Sequence, residues 1–144
     1  MHPVDDAPGW PVHLPALREF AGSDVLVAHN AGFDMGVIAK TSTAFGLEVP
    51  DFRSLCSLQV ARKTYHLESY RLPVAAMAAG FEDFSHHDAL ADAEACAAII
   101  VHAAKRHEAD DVERLAHITR VPFGAIGPVA TRERRAEHGP MALQ

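Results

Sequence analysis

The sequence predicts an α/β fold. Short apolar runs that suit buried strands alternate with stretches of helical apolar spacing, and glycines close several of those stretches. Trp10, Leu14, Leu17 and Phe20 recur at helical spacing, with Gly22 as the stop, which predicts an amphipathic helix. The run Asp24-Val25-Leu26-Val27-Ala28-His29 suits a strand buried on both faces, and Asn30 at its end is a good helix cap. A second helix follows, carrying Phe33, Val37 and Ile38, then Phe45, with Gly46 as its breaker. Phe52 to Ser57 reads as a second strand running into a helix over Leu58 to Tyr65. A short helix from Leu72 to Ala79 precedes Gly80. The longest helical signal covers Ala89 to His107, with a stripe of Leu90, Ala93, Ala97, Ile100, Val101 and Ala104, and a last short helix is expected over Asp110 to Ile118.

Only two strands emerge, and two strands do not make a stable open sheet. The fold is therefore expected to be incomplete, with the missing strands upstream of Met1-His2-Pro3. At 144 residues the chain suits one unit, expected over 1–125, followed by a charged, Gly- and Pro-containing flexible tail over 126–144. No internal repeat is visible.

Half the residues are apolar and 22% are charged, which places the chain among soluble globular proteins. No apolar run approaches the roughly eighteen residues needed to span a bilayer, and Met1 to Gly9 is acidic and polar, unlike a signal peptide. The cytoplasm is the expected compartment. Cys56 and Cys96 lack neighbouring partners and read as small buried hydrophobes. A net charge of -6 argues against a protein that grips nucleic acid through a broad basic face. It leaves room for an enzyme whose carboxylates hold cations at one place.

Two segments carry candidate chemistry. In Ala28-His29-Asn30-Ala31-Gly32-Phe33-Asp34 a strand runs into a helix with a carboxylate in its first turn, where ligands of open α/β sheets gather and the helix dipole favours anions. The structural alternative is that Asn30 caps and Asp34 only complements the dipole. In His86-His87-Asp88-Ala89-Leu90-Ala91-Asp92-Ala93, two helical residues at 87 and 92 would lie roughly 140° apart, so His87 belongs just before the helix and Asp92 one turn inside it. Histidine suits a general base because its ordinary pKa, about 6.5, lies near working pH, although for this motif alone a surface His pair and an ordinary acidic first turn are the favoured reading.

Leu26-Val27-Ala28-His29-Asn30-Ala31-Gly32-Phe33-Asp34 resembles the second motif, and His87-Asp88-Ala89-Leu90-Ala91-Asp92-Ala93 the third, of the DEDDh exonucleases, a family that includes the proofreading epsilon subunit of bacterial DNA polymerase III. Their order, their separation of about fifty residues, and Ser69-Tyr70-Arg71-Leu72 between them all match that pattern. The resemblance implies a ribonuclease-H-like fold, here a partial exonuclease domain over 1–125, and 3'-5' hydrolysis of terminal phosphodiesters of DNA. It implies His87 as the base, Asp34 and Asp92 as catalytic carboxylates, and both aspartates as ligands of Mg²⁺ or Mn²⁺, two ions in the complete family site. His29, Asn30 and Phe33 are the candidate contacts to a single strand or its 3' end, although packing is the favoured account of His29 and accounts equally for Phe33. RNA stands beside DNA as a substrate, because these motifs do not report on 2'-hydroxyl contacts.

The family also carries an Asp-x-Glu on its first strand that supplies two further acids. The acids before Asp34 are Asp5, Asp6, Glu19 and Asp24, and none has that spacing. Two carboxylates are few for two Mg²⁺ ions, so the chain is expected to be a weak or inactive nuclease, and the alternative is a non-catalytic nucleic-acid-binding or polymerase-associated module. An open sheet edge further predicts homo-oligomers or aggregation. Arg62, Lys63 and Arg71 form a modest basic cluster, read as a solvated helix face in preference to a patch that steers DNA; Met35 and Met77 read as core fillers.

Overall fold

In the computed structural model the described residues are 9–82 and 88–137, with side chains through residue 132. Their order is α1 (Trp10–Ala21), β1 (Leu26–Ala28), α2 (Ala31–Ala44), β2 (Phe52–Cys56), α3 (Ser57–Thr64), α4 (Leu72–Ala78), α5 (Ala89–Arg106), α6 (Val112–Thr119), β3 (Gly124–Ile126) and α7 (Pro128–Glu137). Every helix and strand expected through Ile118 is present, and the mixed α/β class holds.

The sheet has the order β1-β2-β3. β1 and β2 are parallel, with Leu26 opposite Ser54 and Ala28 opposite Cys56, whereas β3 runs antiparallel to β2, with Phe52 opposite Ile126. Helices cover both faces, as the alternation of side chains along each strand requires. Leu26 and Phe52 pack with Ala21 and Met35 of α1 and α2. Val27 and Leu55 turn the other way, into a core of Val60, Ile100, Ala103, Leu115 and Val121 from α3, α5, α6 and the turn after α6. A third cluster, Ala61, Tyr65, Ala75 and Ile99, joins α3, α4 and α5. α1 is pinned to α2 by the Trp10 indole, whose Nε1 donates to Ser42 Oγ at 2.9 Å, while Ser42 donates to the Ile38 carbonyl at 2.7 Å. Ser42 is thereby fully satisfied inside the core.

Several expectations are corrected. β3 and α7 occupy the segment read as a loose tail, as far as Glu137. The strand is only three residues long and begins with glycine, too little for a period-two signal. Asp51 secures α7, accepting from the Val129 amide and pairing with Arg132 at 3.2 Å. Gly127 between them has φ +73°, and a Cβ there would strike the Pro50 carbonyl, so only glycine serves. β1 is half-buried rather than buried on both faces, and among the described residues it pairs with β2 alone.

Phe20 is 89% exposed rather than core. The buried face of α1 runs through Leu14 and Ala21, and Phe20 lies about 120° round the helix from Leu14. The stripe expected on α5 is also turned: Ala91, Ala95, Cys96, Ile99, Ile100 and Ala103 face inward, and Leu90 is 66% exposed. Alanines at steps of four let α3 and α4 approach α5 closely, and volume rather than hydrophobicity selects that face. Met77 is exposed, whereas Met35, Cys56 and Cys96 are buried as expected, both cysteines with free thiols.

Candidate active site

Because β1 and β2 are parallel, their carboxyl ends lie side by side, and each runs directly into a helix. The register that sets Ala28 opposite Cys56 places the next residues, His29 and Ser57, as neighbours, and His29 Nδ1 lies 2.8 Å from Ser57 Oγ. The other ring nitrogen, Nε2, lies 2.6 Å from the Tyr70 carbonyl. A carbonyl only accepts, so Nε2 carries the proton and Nδ1 accepts from the Ser57 hydroxyl. Burial pushes the His29 pKa down, the Tyr70 carbonyl opposes that shift, and the Arg62 guanidinium adds to it. His29 is therefore a neutral strut that ties the end of β1 to the start of α3 and to the segment before α4.

Beyond His29 a cleft of about 400 Å³ opens among β1, α2, α4 and α5. Its walls carry Asp34 from the first turn of α2, Asp92 from the first turn of α5, and Cys96 one turn further along the same face. Two helix N-termini thus deliver one carboxylate each, where the dipoles favour negative charge. α5 is set in place by Asp88, whose Oδ1 accepts from the Leu90 amide at 3.0 Å. Burial raises the Asp34 carboxyl above its usual range. Burial also raises the Cys96 thiol, a hydrogen bond with Ser57 and another with the His29 backbone lower it, and the charges of Asp92 and Asp34 raise it further.

Of the residues singled out from the sequence, Asp34, Asp92 and His29 meet in this cleft. Asn30 and Phe33 do not line it. Asn30 stands at the N-terminus of α2 in the left-handed region, φ 70° and ψ 54°, and makes no side-chain cap, contrary to the cap expected of it. The strand-to-helix reversal demands that conformation, which asparagine tolerates better than most residues. Phe33 is 68% exposed on the surface of α2. His87 falls within 83–87, outside the described residues. Cys96, Ser57 and Leu72 were missed. Cys96 was legible as the residue four after Asp92, but Ser57 becomes visible only through the strand register.

The donor chemistry suits a hard divalent cation, since Asp34 and Asp92 offer carboxylate oxygens and a cation would relieve the burial cost of the Asp34 charge. Among the described residues no three His, Cys, Asp or Glu side chains gather closely enough to hold a metal by themselves. No described helix is long and apolar enough to cross a membrane.

A protein-family model described as Exonuclease, the RNase T family, matches residues 3–100. A DNA polymerase III PolC-type protein of Listeria welshimeri is 40% identical over 87 residues, which covers 60% of this chain and 6% of the relative. Another PolC-type protein, from Caldanaerobacter subterraneus subsp. tengcongensis, is 34% identical over 119 residues, 82% of this chain and 8% of the relative. A Mycobacterium tuberculosis protein named as a bifunctional exonuclease/endonuclease is 39% identical over 95 residues, 64% of this chain and 15% of the relative. The chain thus spans a small fraction of the curated relatives it matches, and no solved structure matches it significantly. With the match covering both aspartates and most of the described sheet and helices, the chain belongs to the RNase T exonuclease family, as its likeness to the DEDDh exonucleases implied.

Proposed function

We propose that the chain acts as a 3'-5' exonuclease on DNA, with Asp34 and Asp92 as the carboxylates of its catalytic cleft and His87 as the general base. The observation that carries the proposal is the meeting of Asp34 and Asp92, more than fifty residues apart in sequence, in one cleft of a chain that belongs to an exonuclease family. These two residues would hold Mg²⁺ or Mn²⁺, which supplies charge stabilisation to the phosphodiester oxygens and acidifies the attacking water. His87 takes the proton of that water. His29 fixes the floor on which the terminal nucleotide rests, and Asn30 and Phe33 serve the strand outside the cleft. PolC-type relatives favour DNA over RNA and a role beside a replicative polymerase, and a cytoplasmic setting belongs to the same reading.

A second reading, a non-catalytic nucleic-acid-binding or polymerase-associated module, draws on the absence of a three-ligand metal cluster among the described residues. Digestion of 5'-labelled single-stranded DNA separates the two. The exonuclease reading expects a ladder shortening from the 3' end that needs divalent metal and disappears in Asp92→Asn. DNA binding with no shortening, in a folded chain, would establish the module instead.

A further inference from the structure

A second hollow, of about 550 Å³, adjoins the acidic cleft and shares His29 and Leu72 with it. Its walls come from α3 and from the segment leading into α4, and they carry Arg62 and Arg71. Both arginines are exposed, and among the described residues neither makes an ion pair or a side-chain hydrogen bond. Glu68 also lines the hollow but lies beyond ion-pair distance of both. Ser69 and Tyr70 add a hydroxyl and an aromatic ring, and Leu58 adds apolar surface. The Tyr70 hydroxyl is committed to the local turn, donating to the Tyr65 carbonyl at 2.8 Å, so the wall is preformed.

In a chain of net charge -6, Arg62 and Arg71 outnumber Glu68 in the lining of one hollow, a local excess of positive charge beside a cleft that carries two carboxylates. Arginine's forked donors match phosphate oxygens, and among the described residues no carboxylate lies within ion-pair distance of either one. The hollow adjoins the acidic cleft through His29 and Leu72, so a strand whose end lies in the cleft has its next phosphates within reach of these walls. We propose that Arg62 and Arg71 form a phosphodiester-binding subsite for the backbone of a single nucleic-acid strand whose end occupies the acidic cleft. The strut formed by His29 between Ser57 and Tyr70 sets the distance between the two places. The proposal rests on the exonuclease reading for the polarity of the strand, but its binding chemistry does not depend on hydrolysis.

The test is the salt dependence of binding of a fluorescent single-stranded oligodeoxynucleotide in Ca²⁺, measured by anisotropy for the whole chain. Variants are Arg62→Ala, Arg71→Ala, the double variant, and Arg114→Ala on α6 as a cation remote from the hollow. Each single-strand phosphate contact contributes about 0.7 to the slope of log K against log salt, so the double variant should lose about 1.4 while Arg114→Ala keeps the parent slope. A parallel assay of mononucleotide release with Mn²⁺ should show KM rising several-fold in the double variant with kcat held. Both variant sites are exposed, and circular dichroism would establish that folding is intact. Unchanged slope and KM in the double variant, or no binding by the parent chain, would overturn the subsite. A lost slope without any release by the parent would retain it and discard the exonuclease reading, whereas release with an unaltered slope would do the reverse.

Discussion

Burial disfavours the charged form of both Asp34 and His29, five residues apart, and because one is an acid and the other a base their pKa shifts run in opposite directions and lead to separate predictions. Burial raises the Asp34 carboxyl, so the fold disfavours its charge. A raised folded pKa gives stability that is present below the unfolded value and is lost as pH rises through the folded one. At neutral pH without metal, Asp34→Asn should therefore melt no lower than the parent, while metal-dependent hydrolysis falls by at least about 10²-fold, as loss of several kcal/mol of charge stabilisation requires. Parallel melting and nuclease assays in the two proteins check this; a drop in melting temperature would show the carboxylate to be structural.

His29 has the contrary sign: its pKa is lowered from 6.5, so the unfolded state binds the proton first. Its contribution is full above that value and is lost as pH falls through the folded pKa. Melting temperature should drop between pH 7.5 and 5, and the drop should shrink in His29→Gln. Equal slopes in both proteins would contradict the neutral strut. His29→Ala, which strips partners from Ser57 and Tyr70, should cost about 1–3 kcal/mol by denaturant unfolding.

Among the elements, α5 shows what apolar patterning conveys and what it does not. Its length and start were legible because the apolar period is long, and the structure adds Asp88 as its cap. Its facing was not, because the pattern is dominated by alanines and the close approach of α3 and α4 selects Ala91, Ala95 and Ala103 over the larger Leu90 and Val101. β3 and α7 escaped the sequence for a different reason. Gly124 to Ile126 pairs with β2 only through a long-range register, and α7 depends on Asp51, which is distant in sequence. Gly127 is the hinge between them, so Gly127→Ala should destabilise the chain by about 1–3 kcal/mol, through positive φ and the collision with Pro50. Chemical denaturation of the variant measures it, and an unchanged midpoint would contradict the close approach of Gly127 to Pro50.

For the molecule as a whole, the α/β class, the order of elements to Ile118 and the pairing of Asp34 with Asp92 were legible from two short motifs. The His29 network, the Cys96 wall and the sheet's third strand were not, since each depends on which residues the parallel register brings side by side. β1 pairs on one side only among the described residues, and we propose that this edge promotes self-association. Sedimentation velocity should then show species larger than the monomer, and a single monomer boundary would count against it.

We propose that the cleft between the N-termini of α2 and α5 cuts phosphodiesters with the help of metal. It is tested most directly by mononucleotide release from 3'-labelled single-stranded DNA with Mn²⁺, comparing the parent chain with His87→Ala, Asp92→Asn and an EDTA control. Release by the parent is expected, none with EDTA or Asp92→Asn, and a loss of about 10²- to 10⁴-fold in His87→Ala. A folded parent chain that releases no nucleotide, or variants that release it at the parent rate, would contradict it.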